Sequence, residues 1–156
     1  MPSRESNATR VFLSVLLVGA CAAARAQSPA TEPALSRTAQ DAVLQWGPCP
    51  PFMPTGCEIA VLHGDPGKPN ADVFFRVPGG AVIPAHWHTS AERMVLVSGE
   101  MKVAYAGQKP TTLRPGTYAY GPPKATHDAT CTSTAACVLF IAFEGPVDAH
   151  PAAASK

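Results

Sequence analysis

The chain has no apolar run long enough for a membrane helix, no excess of either charge, no internal repeat and no sustained helical pattern. Each absence removes a class of protein. The longest apolar core, Val11 to Ala20, is too short to span a bilayer as a mature helix. The 12 Lys and Arg nearly balance the 11 Asp and Glu, and no basic stripe forms. Nothing therefore points to nucleic acid or an anionic membrane surface as a partner. With no repeat over 156 residues, one domain is the expected organisation. Histidine is scarce, with five in all, and two of those stand only one residue apart.

The N-terminus reads as a processing segment. Arg4 and Arg10 are positive, the apolar core follows, and Ala24-Arg25-Ala26 is a small-x-small cleavage site. The expectation is a signal peptide over residues 1–26 and a periplasmic or secreted mature protein. An alternative uses Val18-Gly19-Ala20-Cys21 as a lipobox, which would leave a lipid anchor at Cys21; a retained membrane anchor is the third option. Cleavage after Ala26 removes three arginines and one glutamate and takes the formal charge from +1 to −1. Residues 27–41 read as a flexible leader and 147–156 as a flexible tail in which His150 is inert. The domain is expected over residues 42–146.

Short β-prone segments fill that domain, with turn signals every eight to twelve residues, which argues an all-β sandwich or barrel. Glu58 to His63, Ala71 to Val77, Arg93 to Val97, Glu100 to Ala106, Thr111 to Leu113, Thr117 to Tyr120 and Ala136 to Phe143 are its strands. His63, alone at the end of its strand, reads as a solvated or capping side chain. Ala39 to Trp46 is either a strand or a helical turn, and Trp46 reads as packing on the barrel. Gly47 to Gly56 carries four prolines and must be a rigid loop. Cys49, Cys57, Cys131 and Cys137 are an even set in a chain expected to be exported, which suggests disulfides. Of three pairings, Cys49–Cys57 and Cys131–Cys137 fit best, because each brackets a loop. Free thiols and a metal-ligating Cys131 are the alternatives.

Gly80 to Gly99 is the stretch that carries chemistry. His86 and His88 are two apart, so on a strand both side chains share a face. Val82, Ile83 and Pro84 before them disfavour a helix. Glu92 opens the next strand, and if it faces inward so do Met94 and Leu96. About thirty residues on, Gly116 to His127 supplies His127. Buried imidazoles and carboxylates need partners or a metal. Three imidazoles and a carboxylate suit one divalent transition ion, whether iron, manganese, nickel, copper or zinc, and suit calcium or magnesium poorly.

These residues resemble the cupin family. The first cupin motif, G-(x)5-H-x-H-(x)3-E-(x)6-G, is matched at Gly80, His86, His88, Glu92 and Gly99. The second, G-(x)5-P-x-G-(x)2-H-(x)3-N, is matched at Gly116, Pro122 and His127, with Lys124 in place of its glycine and Cys131 in place of its asparagine. The resemblance implies a single cupin-type β-barrel, a jelly-roll-like double-stranded β-helix, with metal held by His86, His88, Glu92 and His127. Many cupins pair into homodimers, which makes a dimer an expectation here. The wording around the motifs is similar to small single-domain exported bacterial cupins.

No activity follows from the resemblance. One expectation is a metal-dependent enzyme, dioxygenase- or isomerase-like, on a small anionic or oxygen-rich substrate. Tyr118, Tyr120, Lys124 and Asp128 are its candidates for moving protons or holding an anion. The other is a non-catalytic periplasmic module that binds or senses a small molecule or a metal.

Overall fold

The computed structural model describes residues 32–152. The expected signal peptide, with Cys21, lies outside them. Contacts divide the chain between Leu35 and Ser36, and the fold is that of the unit beginning at Ser36.

Among the described residues there is no helix. Eleven strands follow one another: β1 (Trp46–Pro48), β2 (Glu58–His63), β3 (Ala71–Val77), β4 (Val82–Trp87), β5 (Glu92–Ser98), β6 (Met101–Tyr105), β7 (Thr111–Leu113), β8 (Tyr118–Gly121), β9 (His127–Cys131), β10 (Cys137–Phe143) and β11 (His150–Pro151). They form a six-stranded sheet in the order β1-β2-β3-β10-β5-β8 and a five-stranded sheet in the order β11-β4-β9-β6-β7. Every pairing between them is antiparallel. This is the all-β architecture expected.

Alternation along each strand places the core. Glu92, Met94 and Leu96 of β5 point inward while Arg93 and Val97 face water. On β6, Met101 and Val103 are buried and Lys102 is exposed. Val73, Val77, Leu96 and Met101 are almost inaccessible, and burying side chains of this size contributes roughly 1.5–3 kcal/mol each. Phe74 and Phe75 face opposite ways: Phe74 packs with Ala39 and Val138 outside the sheet, and Phe75 against the inner core.

The disulfides Cys49–Cys57 and Cys131–Cys137 are both formed. Each closes a short loop and stabilises by about 2–4 kcal/mol on the chain-entropy account. Cys131 is thereby excluded as a metal ligand.

Both ends of the domain extend beyond the expected limits of 42 and 146. At the start, Thr38 Oγ1 donates to Asp41 Oδ1 at 2.7 Å in a turn that seats Ala39 in the core. That turn leads into β1, so Gly47 and Pro48 are strand rather than loop; Pro48 is tolerated because β1 is an edge. Arg76 lies 4.0 Å over the Trp46 ring, which packs on the barrel as expected. At the other end, Val147 N donates to Pro66 O and β11 pairs with Trp87 and His86 of β4. His150 stacks on Trp87 with centroids 4.3 Å apart. The described part of the expected tail is therefore a strap laid on the barrel. A two-residue strand containing proline offers no periodicity from which to read it.

Candidate metal centre

His86, His88 and His127 come together between the sheets. Their ligand atoms lie within 4.8 Å of one another, and all three side chains are buried. The register explains why. His86 of β4 is paired directly with His127 of β9, and on the far side of β9 His127 is paired with Tyr105 of β6. The ring centroids of His86 and His127 are 4.2 Å apart, and those of His127 and Tyr105 are 4.8 Å apart. Ile83 and His86 both face inward although they are an odd number of residues apart. The β4–β9 ladder shifts register between them, and this bulge at Pro84-Ala85 aims the histidine inward.

Glu92 reaches the cluster from the opposite sheet. Its Oε2 is 3.3 Å from His88 Nε2 and 3.9 Å from His127 Nε2, and the residue is 3% exposed. Gly121, paired with Glu92 across the β5–β8 ladder, leaves room for it. A Cβ there would stand 2.6 Å from Tyr105 Oη and 3.1 Å from Glu92 Oε2.

Hydrogen bonds fix the tautomers. His86 Nδ1 donates to Pro84 O at 2.8 Å, His127 Nδ1 to Ala125 O at 3.0 Å, and His88 Nδ1 to Asp148 O. A carbonyl only accepts, so each Nδ1 carries the hydrogen and each neutral ring keeps a lone pair on Nε2. Burial keeps the rings neutral. It drives His86 down to about 3, helped by the charge of His127, and His88 down to about 4 against the opposing pull of the Asp148 carbonyl. His127 is lowered for the same reason. Burial, aided by Asp148, pushes the Glu92 carboxyl up to about 8. Burial and the nearby Glu92 also raise the Tyr105 hydroxyl.

This donor set fits a divalent transition metal: three uncharged nitrogen donors converge beside a carboxylate that sheds its proton when a cation arrives.

The second-motif turn keeps its shape without glycine. Lys124 takes the left-handed conformation at φ 60°, where the motif has glycine, and its N–H donates to His88 O at 2.8 Å. Its side chain is exposed, as are Asp128, Tyr118 and Tyr120, the tyrosines at 60% and 49%. None of these four lines the cavity, which corrects their candidacy for proton transfer or anion binding. The reason is parity: His127 faces inward, so Asp128 faces outward, and Ala119 and Gly121 take the inner side of β8.

Two further polar residues stand at the site. Tyr105 shares a face of β6 with Met101 and Val103, and its place beside His127 depends on the pairing of β6 with β9. Asp148 lies in the strap, where its Oδ1 accepts from Thr89 N at 2.8 Å and its Oδ2 sits 3.1 Å from His150 Nε2.

The chain belongs to the ChrR cupin-like domain family, whose model matches residues 36–148. No curated protein matches it. Among solved structures, it is similar to the DMSP lyases RdDddP and RnDddQII (17% identity, TM-score 0.62, covering 70% of this chain and 63% of that one). It is similar to the DMSP lyase DddQ from Ruegeria pomeroyi DSS-3 at 23% identity and TM-score 0.60, covering 70% of this chain and 61% of that one. An RmlC-like cupin from Shewanella frigidimarina NCIMB 400 aligns at 21% identity and TM-score 0.56, covering 67% of this chain and 86% of that one. At these identities the likeness is one of fold. The chain spans less than two thirds of the two lyase chains.

Proposed function

We propose that this protein is an exported metal-dependent cupin enzyme acting on a small molecule, with one divalent transition ion held by His86, His88, His127 and Glu92. The observation that carries the reading is the convergence of three Nε2 lone pairs, each fixed by a carbonyl on Nδ1, on the wall of one cavity. Such an ion, when bound, supplies a Lewis acid with open positions for a substrate oxygen. The chain supplies the rest. The apolar walls exclude water, Tyr105 Oη can donate to a bound oxygen atom, and Glu92 can hold or release a proton beside His88. The two disulfides support an oxidising compartment. The signal peptide over residues 1–26 belongs to the same reading.

A non-catalytic binding or sensing module is the second reading. It is favoured by the outward orientation of Tyr118, Tyr120, Lys124 and Asp128, which leaves few groups for proton transfer. Metal analysis of protein purified from the periplasm tests the first reading. One equivalent of a first-row transition metal, lost in His86→Ala and His127→Ala, is expected; folded protein that takes up none contradicts it. Turnover in an oxygen-uptake and isomerisation screen then separates enzyme from binder.

A further inference from the structure

The walls of the cavity describe the molecule it takes. It holds about 240 Å³. A dry cavity of about 150 Å³ accommodates benzene, so this one has room for a single ring with a short substituent. Phe75, Met94, Met101, Leu139, Ile141 and Phe143 are among the apolar side chains of its wall. Among the described residues no lysine or arginine lines it, and its carboxyl groups are Glu92 and Asp148. A polyanion would find no counter-charge among these side chains and would lose its hydration against hydrocarbon.

One polar atom of a lining residue lacks a hydrogen-bond partner among the described residues. Tyr105 Oη is buried and makes no hydrogen bond among the described residues. Leaving a buried hydroxyl unpaired is unfavourable, because it has lost its water without gaining a partner. It lies next to Glu92 across the space that Gly121 leaves open, and its ring packs beside His127. A donor held there, on the wall of a mainly apolar pocket, is placed to meet an oxygen on a ligand.

We propose that the cavity binds a small, mainly hydrophobic molecule, a monocyclic aromatic or an aliphatic of similar bulk. It carries a single oxygen head group, neutral or singly charged, which accepts a hydrogen bond from Tyr105. This deepens the reading given under Proposed function and narrows the expected anionic or oxygen-rich substrate to one with a single oxygen head group on a hydrophobic body. It rests on that reading for the neighbouring metal, but the walls and the hydroxyl belong to the chain itself.

The test is calorimetric titration of benzyl alcohol, phenylacetate, acetate and succinate into the full-length mature protein, both metal-loaded and chelator-stripped, with toluene binding followed by NMR. Phenylacetate is expected to bind at least tenfold more tightly than acetate or succinate to the loaded protein. Benzyl alcohol is expected to bind the stripped protein. Tyr105→Phe should weaken benzyl alcohol about five- to tenfold and leave toluene unchanged, a split that a merely structural tyrosine would not produce. Val103→Phe, which fills the cavity from its wall, should weaken both. Succinate binding as tightly as phenylacetate, or equal loss of toluene and benzyl alcohol in Tyr105→Phe, overturns the proposal. Metal uptake with a preference for succinate sinks this inference and spares the metal centre. Selective benzyl alcohol binding by a protein that takes up no metal does the reverse.

Discussion

The two sheets contribute unequally to the centre. The five-stranded sheet supplies His86 and His127 from its strands, His88 just past the end of β4, and Tyr105. The six-stranded sheet supplies Glu92 and the apolar side chains of Phe75, Met94, Leu139, Ile141 and Phe143. The histidines are braced by backbone carbonyls, two of them from the residue two positions earlier in the chain. Glu92 has no such brace; it is buried beside the imidazoles of His88 and His127, and burial holds its proton to about pH 8. The difference teaches that one wall carries neutral donors fixed by the backbone, while the other carries a carboxyl that burial keeps protonated.

The sharpest way to break this contrast is to remove a fixed donor. His127→Ala should lower metal affinity by about a hundredfold or more, read by competition with a chromophoric chelator, while far-UV circular dichroism stays unchanged.

A smaller loss should follow when a brace is removed instead of a donor. His88 differs from the other two in taking its acceptor from Asp148, 60 residues away. A chain ending at Pro146 lacks that carbonyl and β11, and should bind metal roughly 10–100-fold more weakly with all four side chains present.

Glu92→Gln tests the wall that carries the carboxyl. At pH 7 the wild type should release close to one proton per metal bound, and the variant none, measured by calorimetry in buffers of different ionisation heat. The same shifts set the pH dependence of metal-free stability. Between about pH 6.5 and the folded values near 3 and 4, the unfolded chain binds protons that buried His86 and His88 refuse, so stability falls as pH drops through that window. Between about 4.5 and 8 the folded state keeps a proton on Glu92 that the unfolded chain has lost, so this group takes stability away as pH rises. Several histidines outweigh one carboxyl on the acid side, so metal-free protein should be most stable near pH 6.5. Glu92→Gln should flatten the alkaline slope and steepen the acid one between about pH 4.5 and 6.5, read by urea midpoints across pH.

The smallest effect belongs to the second-motif turn. Lys124→Gly relieves a side chain held at positive φ and should stabilise by about 1 kcal/mol without changing metal affinity.

Much of the centre was legible because it is local. An H-x-H pair among β-prone residues has one reading, and the alternation of β5 places Glu92, Met94 and Leu96 on one face. What was not legible depends on distant pairing. The register shift at Pro84-Ala85 leaves no mark in composition, and the pairing of β6 with β9 that sets Tyr105 against His127 joins residues far apart in the chain. Tyr118 and Tyr120 were attractive by nearness in sequence to His127, but the strand that carries them turns both outward. Asp148 was discounted because a Pro- and Ala-rich end reads as a tail, whereas Trp87, Pro66 and Thr89 give it somewhere to bind.

The most direct measurement is an anomalous scattering map from crystals of the metal-loaded protein, collected at that metal's absorption edge. One peak about 2.0–2.2 Å from Nε2 of His86, His88 and His127 together is the expected result. A peak bound by one of them or none, with the cluster otherwise in place, contradicts the account.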